Sequence, residues 1–125
     1  MILDKEINPE LYHIARKLAA QKIYDGKRTI AKKNKSSKVK LKHTIDKEFI
    51  LQLLRQSGCR CLYCGQPFVF ESRHPMNFSI DRIDSSKGYT PENVQVIASW
   101  VNKAKSNLDE KQFFEYIKNV YSQII

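Results

Sequence analysis

The sequence predicts a small α+β domain, with helices at both ends of the chain and a short strand-and-turn region between them. Apolar residues recur at helical spacing near both ends, whereas residues 59–84 carry turn residues and an alternating pattern. The 125 residues, 42% of them hydrophobic, suffice for one modest core. We therefore expect a single domain with a basic helical region over residues 1–57, a core over 58–107 and a C-terminal helix over 108–125 packed on that core.

The first predicted helix begins after Asn8. Asn8 is a favourable N-cap, Pro9 suits the first helical position, and Glu10 lies near the positive end of the helix dipole. The apolar face that follows has helical spacing and consists of Leu11, Ile14, Ala15 and Leu18. We expect this helix to end near Gly26, because glycine favours helix termination.

A strongly basic segment follows over residues 27–42, where eight of sixteen residues are Lys or Arg and none is acidic. Together with the formal net charge of +9, this segment indicates a polyanionic partner such as DNA. The candidate phosphate contacts within it are Lys32, Lys33 and Lys35. A disordered, solubilising linker is the alternative interpretation of the same residues.

A second helix is predicted to begin at Asp46, which is a favourable N-cap. Its buried stripe comprises Phe49, Ile50, Leu53 and Leu54. Ser57 and Gly58 should end it. The following residues, 59–70, are interrupted by glycine and proline, so we expect a tight hairpin or knuckle there.

One strand is predicted over residues 78–84, followed by a loop over 85–88 that the Asp84 side chain braces. After Pro91, a helix is predicted from an apolar face formed by Val94, Ile97, Ala98, Val101 and Ala104. Asn93 and Asn102 are nine positions apart, about half a turn out of phase on one helix, so Asn93 is expected in the preceding loop.

The last predicted helix starts near Asp109 and Glu110, whose charges suit a helix N-terminus. Its apolar residues share one face. They are Phe113, Ile117, Val120, Tyr121 and Ile124.

Several of these residues form a pattern seen in known nucleases. A Cys61-x-x-Cys64 knuckle precedes a strand ending in Asp81, and then follow Asn93 in a loop and Asn102 nine residues later. In this order and spacing the chain resembles the HNH endonuclease family (His-Me finger, ββα-metal), particularly its small phage-type members. The resemblance covers residues 58–107 and extends only loosely to the flanking helices.

The resemblance implies a ββα-metal core and metal-dependent hydrolysis of phosphodiester bonds in double-stranded DNA. By the same resemblance, Asp81 and Asn102 hold a Mg²⁺ or Mn²⁺ ion, and Asn93 shapes the loop. Hard oxygen ligands suit both ions. Positively charged side chains flanking the site are expected to contact phosphates, and they are Lys87, Lys103 and Lys105.

The sequence departs from the family at the catalytic histidine, whose position is occupied by Arg82. A guanidinium is always protonated, so it binds a phosphate but does not act as a general base. His74 is the candidate substitute base, because a hairpin would bring it beside the strand. The alternative is a catalytically inactive nucleic-acid-binding or inhibitory module on the same scaffold.

A second departure concerns zinc. Zinc-bearing members carry a second cysteine pair at positions that are Ala98 and Val101 here, so a four-cysteine site is excluded. A mixed site remains compatible with zinc chemistry, although the absence of structural zinc is favoured. Its ligands would be Cys59, Cys61, Cys64 and His74. A zinc-knuckle adaptor for another protein is a third interpretation.

The expected compartment is the cytoplasm of a bacterial or phage-infected cell. No stretch approaches the roughly 20 apolar residues of a membrane span, and the N-terminal residues lack the order of a signal peptide. Three closely spaced cysteines do not suit a secreted disulfide framework. We expect no membrane partner, and the sequence carries no feature that specifies an oligomeric state.

Overall fold

The computed structural model describes residues 2–125 and is of the α+β class, as the sequence predicts. Its elements follow in the order α1 (Pro9–Ser36), α2 (Lys47–Gln56), β1 (Phe78–Arg82), β2 (Val94–Ala98), α3 (Ser99–Lys105) and α4 (Glu110–Ile124). The two strands form one antiparallel sheet. Helix α1 packs against α2, while α3 packs against both strands. Of the helices within residues 2–125, none has the length and apolarity that a membrane crossing requires.

Helix α1 is longer than predicted. Its start is confirmed, because the Asn8 side chain accepts a hydrogen bond from the backbone N–H of Leu11 at 3.2 Å. The prediction that it ends near Gly26 is wrong, and the helix continues to Ser36. A Cβ atom at Gly26 would lie 2.9 Å from Nε2 of His43, so this glycine permits a close approach between segments and does not end the helix.

Helix α2 forms as predicted. The Asp46 carboxylate accepts a hydrogen bond from the backbone N–H of Phe49 at 2.9 Å and caps the N-terminus. Gly58 adopts a left-handed φ of 64° just after the helix, which is a typical helix ending. The buried face of α2 supplies the centre of the core with Ile50, Leu51 and Leu54.

The segment over residues 59–70 contains the predicted knuckle. The backbone N–H of Cys61 donates to the carbonyl of Gln66, and the N–H of Gly65 donates back to the carbonyl of Cys61, each at 2.9 Å. A bridge between Arg60 and Pro67 closes the turn. The knuckle places Cys61 beside the end of β2, where its Sγ accepts a hydrogen bond from the backbone N–H of Ala98.

The strands β1 and β2 pair with Phe78 opposite Ala98 and Arg82 opposite Val94. The prediction of one helix from Val94 to Ala104 is therefore wrong, since its first part is a strand and only the part from Ser99 onward is helical. Both faces of β2 are largely buried, and a short apolar run buried on both sides fits either a strand or a helix by spacing alone. Pairing with β1 decides the outcome.

Helix α4 begins where predicted, with a reciprocal capping box between Asp109 and Gln112. Phe113 in its first turn is 5% exposed and packs edge-on against Tyr63. The expectation that the whole helix packs on the core holds only for this turn. Most of the predicted apolar face is exposed, namely Ile117, Val120, Tyr121 and Ile124.

Candidate functional site

Asn93 holds together the loop between the two strands. It lies in a short 3₁₀ turn, Pro91–Asn93, and its side chain is buried. Its Oδ1 accepts a hydrogen bond from the backbone N–H of Asp84 at 2.9 Å. Its Nδ2 donates to the carbonyls of Asp84 at 3.0 Å and Gly88 at 2.8 Å. The predicted loop position of Asn93 is confirmed, and its amide satisfies backbone groups at both ends of the loop.

Asp84 braces the same loop from within, as predicted. Its Oδ1 accepts hydrogen bonds from the Ser86 backbone N–H at 2.9 Å and the Ser86 hydroxyl at 2.6 Å. These hydrogen bonds, with that of the hydroxyl first, hold the pKa of Asp84 below its ordinary value. The loop after β1 is thus ordered by its own side chains.

The end of the basic segment docks onto this loop. The backbone N–H of Tyr89 donates to the carbonyl of Lys42, and the N–H of Thr44 donates to the carbonyl of Tyr89, each at 2.9 Å. Gly88 is essential to this approach, because a Cβ atom there would lie 2.1 Å from the Lys42 carbonyl oxygen. The basic segment is consequently tied to the site.

Gly88→Ala is expected to lower the free energy of unfolding by about 1–3 kcal/mol, because an added methyl group in a packed region displaces the backbone. Urea unfolding followed by circular dichroism measures the change. Lys87→Ala alters the exposed neighbouring residue of the same loop and serves as the control, with little expected effect. Equal stability of Gly88→Ala and the wild type would show that the segment does not dock as described.

Arg82 lies at the end of β1 with its side chain on the loop. Its Nη1 donates to the carbonyl of Lys87 at 3.1 Å, and its Cζ is 5.2 Å from the centre of the Tyr89 ring. Burial and, secondarily, the charge of Arg82 lower the pKa of Lys33 on α1. Arg82 and Lys33 therefore contribute to one local region of positive potential.

Asp81 is almost fully buried and already has a cationic partner. Its side chain is 5% exposed, and that of Lys105 is 3% exposed. The Lys105 ammonium lies 3.2 Å from Oδ2 and 3.4 Å from Oδ1 of Asp81. The side-chain amide of Gln95 also donates to Oδ2 at 2.9 Å. Lys105, a predicted phosphate contact, is therefore buried against Asp81 in this structure.

Asn102 lies on α3, one turn before Lys105. Its Nδ2 donates to the hydroxyl of Ser79 on β1 at 2.6 Å. A pocket of about 220 Å³ opens beside Asn102, and α1 forms its other side. The lining residues are Lys22, Asp25, Gly26, Ser79, Ile80, Tyr89 and Asn102. Asp81 and Asn102 thus share the interface between β1 and α3, but each contacts a different partner.

His74, the candidate base, lies away from Asp81. Its Nδ1 accepts a hydrogen bond from the backbone N–H of Met76 at 3.0 Å, within the turn that precedes β1. Asp81 lies three residues beyond the first residue of β1, a further distance of about 10 Å along an extended strand. His74 braces a turn, and the structure does not bring it to the Asp81 end of the strand.

The sequence interpretation missed His43, which packs near Arg82. The rings of His43 and Tyr89 have centroids 5.2 Å apart, and Arg82 lies over the same Tyr89 ring. Within residues 2–125, neither ring nitrogen of His43 has a hydrogen-bond partner. Burial, followed by the charge of Lys27, lowers the pKa of His43 and favours a neutral ring.

The three cysteines do not form one cluster. Cys61 accepts a hydrogen bond on Sγ from the backbone N–H of Ala98 at 3.3 Å. Burial raises the pKa of Cys61, but N–H donors, led by Ala98, outweigh burial and bring the pKa below its ordinary value. Burial raises the pKa of Cys59 and of Cys64. Across residues 2–125 no group of three or more His, Cys, Asp or Glu side chains is arranged to hold a metal ion.

The remaining predicted phosphate contacts are exposed. Lys32 and Lys35 line the outer face of α1 beside Arg28. Lys87 and Lys103 are exposed beside the loop and on α3.

Among known proteins, no family model, curated protein or solved structure matches the chain.

Proposed function

We propose that this protein is a metal-dependent endonuclease of the HNH type, with a ββα-metal core that hydrolyses phosphodiester bonds in DNA. One observation carries the proposal: Asp81 of β1 and Asn102 of α3 both lie at the interface between these two elements, and Asn93 closes the loop that follows β1. An antiparallel strand pair followed by a helix is the arrangement that the resemblance to HNH enzymes implies. The knuckle supports it further, because Cys61 contacts Ala98, the position at which zinc-bearing HNH enzymes carry a cysteine.

The proposed metal ligands have suitable chemistry. The carboxylate of Asp81 and the amide oxygen of Asn102 are hard donors of the kind that Mg²⁺ and Mn²⁺ prefer. Such an ion, when bound, supplies stabilisation of negative charge on the phosphate and the leaving oxygen. Asp81 can serve as a ligand only after Lys105 gives up part of its contact with the carboxylate.

Arg82 is proposed to bind the phosphate next to the bond that is cut. Its guanidinium is held on Tyr89 and stays protonated, so it stabilises negative charge without removing a proton from water. The absence of a positioned general base typically costs about 10²- to 10⁴-fold in rate. We therefore expect slow cleavage by the wild type.

DNA binding is assigned to the exposed cations around Arg82. Lys33 lies on α1 within electrostatic reach of Arg82, and Lys87 lies on the loop whose carbonyl Arg82 contacts. Further exposed cations are Lys32 and Lys35 on the outer face of α1 and Lys103 on α3, and they add to the positive charge available for phosphates. Neutralising DNA phosphates with these side chains releases counterions, so binding should weaken as salt rises.

The test is nicking of supercoiled plasmid in Mg²⁺, Mn²⁺ or EDTA. Metal-dependent nicking is expected for the wild type and should disappear in Asp81→Asn, which removes a charged ligand. Asp84→Asn is the matched control, because its amide oxygen still accepts hydrogen bonds from Ser86 and the loop is retained. Folded, DNA-binding wild type that cuts with none of these metals would overturn the endonuclease proposal.

A catalytically inactive nucleic-acid-binding or inhibitory module is the second candidate. The contact between Lys105 and Asp81 favours it, because the carboxylate is already neutralised without a metal ion. Arg82 at the usual histidine position favours it as well. This candidate predicts DNA affinity that falls with salt but is the same in Mg²⁺ and in EDTA at equal ionic strength.

A further inference from the structure

The carboxylate proposed to bind the metal ion already holds a cation from its own chain. The Lys105 ammonium is within 3.4 Å of both Asp81 oxygens. Neither side chain is more than 5% exposed, so water competes weakly for either charge. Lys105 thus supplies, within the fold, the positive charge that a divalent ion would supply.

The surroundings hold this pair in place. Gln95 lies directly opposite Asp81 in the sheet, and its Nε2 donates both to Oδ2 of Asp81 at 2.9 Å and to the hydroxyl of Tyr63 at 3.0 Å. Tyr63 in turn packs against Phe113. Both carboxylate oxygens are consequently engaged by partners that the fold fixes.

A divalent ion and the ammonium compete for the same carboxylate. Mg²⁺ takes its oxygen ligands at about 2.0–2.1 Å, so an ion on either Asp81 oxygen would lie within about 5.5 Å of the Lys105 ammonium, which is 3.2 and 3.4 Å from the same oxygens. Two cations at such separations in a buried site repel each other strongly. Metal binding at Asp81 therefore requires that Lys105 first move away.

We propose that Lys105 keeps divalent metal ions off Asp81 in the DNA-free protein, and that a DNA phosphate releases the site by drawing the Lys105 ammonium to itself. The inference rests on the proposed nuclease function, and it adds the order in which DNA and the metal ion bind. Lys105 and Arg82 line the same pocket, so a phosphate bound by Arg82 would lie close to the Lys105 side chain. Metal and DNA should then bind in an ordered manner, with DNA first.

The experiment counts bound Mn²⁺ from the loss of the free-ion signal in electron paramagnetic resonance. Without DNA, wild type and Asp81→Asn should bind the same amount of Mn²⁺, because Asp81 holds none in either protein. With a duplex carrying non-hydrolysable phosphate linkages, wild type should bind one more Mn²⁺ per chain than Asp81→Asn on the same duplex. Asp81-dependent binding without DNA, or no difference between the two proteins with DNA, would overturn the inference.

A second comparison uses DNA-free Lys105→Met, which leaves the carboxylate without its ammonium. This variant should bind Mn²⁺ at least about tenfold more tightly than wild type, because a neighbouring positive charge has been removed. The double variant Asp81→Asn with Lys105→Met lacks both charges and should lose the gain. If Lys105→Met does not fold, the two comparisons of wild type with Asp81→Asn still decide the question, provided that circular dichroism shows Asp81→Asn, which leaves the Lys105 charge unpaired, to be folded.

The outcomes separate this inference from the nuclease proposal. A protein that never cuts plasmid but shows DNA-dependent Mn²⁺ binding at Asp81 would keep the inference and lose the enzyme. A protein that cuts plasmid and binds Mn²⁺ at Asp81 without DNA would keep the enzyme and lose the inference.

Discussion

Replacing Lys105 with methionine is expected to lower the free energy of unfolding by about 3–5 kcal/mol in the absence of divalent ions. The variant leaves the Asp81 carboxylate buried with Gln95 as a neutral donor and no opposite charge. A buried charge without a partner costs far more than the pair contributes when it is intact. Urea unfolding in EDTA, followed by circular dichroism, measures the effect.

The controls distinguish a buried charge from a lost side chain. The double variant Asp81→Asn with Lys105→Met removes both charges and should recover a large part of the lost stability. Lys103→Met changes an exposed lysine on the same helix and should alter stability by less than about 0.5 kcal/mol. A Lys105→Met protein as stable as the Lys103→Met protein would mean that Asp81 is solvated and that the pair is not buried.

Local sequence signals predicted three of the four helix starts, those of α1, α2 and α4. Caps act through hydrogen bonds within a few residues, and the Asn8, Asp46 and Asp109 side chains all bond as expected. Such contacts depend on neighbouring residues alone. The knuckle around Cys61 was predictable for the same reason, since glycine and proline restrict the backbone locally.

The two wrong predictions of secondary structure depend on contacts that are distant in sequence. Gly26 does not end α1, because its role is to admit His43, a residue beyond the basic segment. The run Val94–Ala98 is a strand because Phe78–Arg82 lies beside it. Helical and extended structures both suited these residues locally, and tertiary packing selected one of them.

In the candidate site too, local sequence signals identified some residues, whereas others depend on contacts that are distant in sequence. Asp81, Asn93 and Asn102 were identifiable because their types and spacing match a known pattern. Gln95 was not, because its role follows from the register that places it opposite Asp81. The pairing of Lys105 with Asp81 also depends on how α3 packs on β1, whereas the position of Lys105 beside the proposed site in the sequence suggested a phosphate contact.

Arg82→His is expected to raise the rate of metal-dependent plasmid nicking by about 10²- to 10⁴-fold, the usual contribution of a positioned general base. The backbone at position 82 is fixed by strand pairing. Arg82 lies opposite Val94 in the sheet, and the backbone N–H of the next residue, Ile83, donates to the carbonyl of Asn93 at 2.8 Å. An imidazole there would begin next to Asp81 in the chain, as in the HNH pattern that the sequence resembles. Initial nicking rates in Mg²⁺ and Mn²⁺ measure the gain.

The pH profile shows whether the gain comes from proton transfer. Only the neutral imidazole accepts a proton, so activity of Arg82→His should rise with pH through the ordinary histidine pKa of about 6.5. Arg82→Ala lacks both the guanidinium and the base, and Arg60→His adds a histidine on the exposed knuckle. Neither variant should gain activity. A gain confined to Arg82→His would mean that the missing general base alone makes the wild type slow. Equal rates for Arg82→His and Arg82→Ala would mean that the contact of Lys105 with Asp81, and not proton transfer, limits the nicking rate.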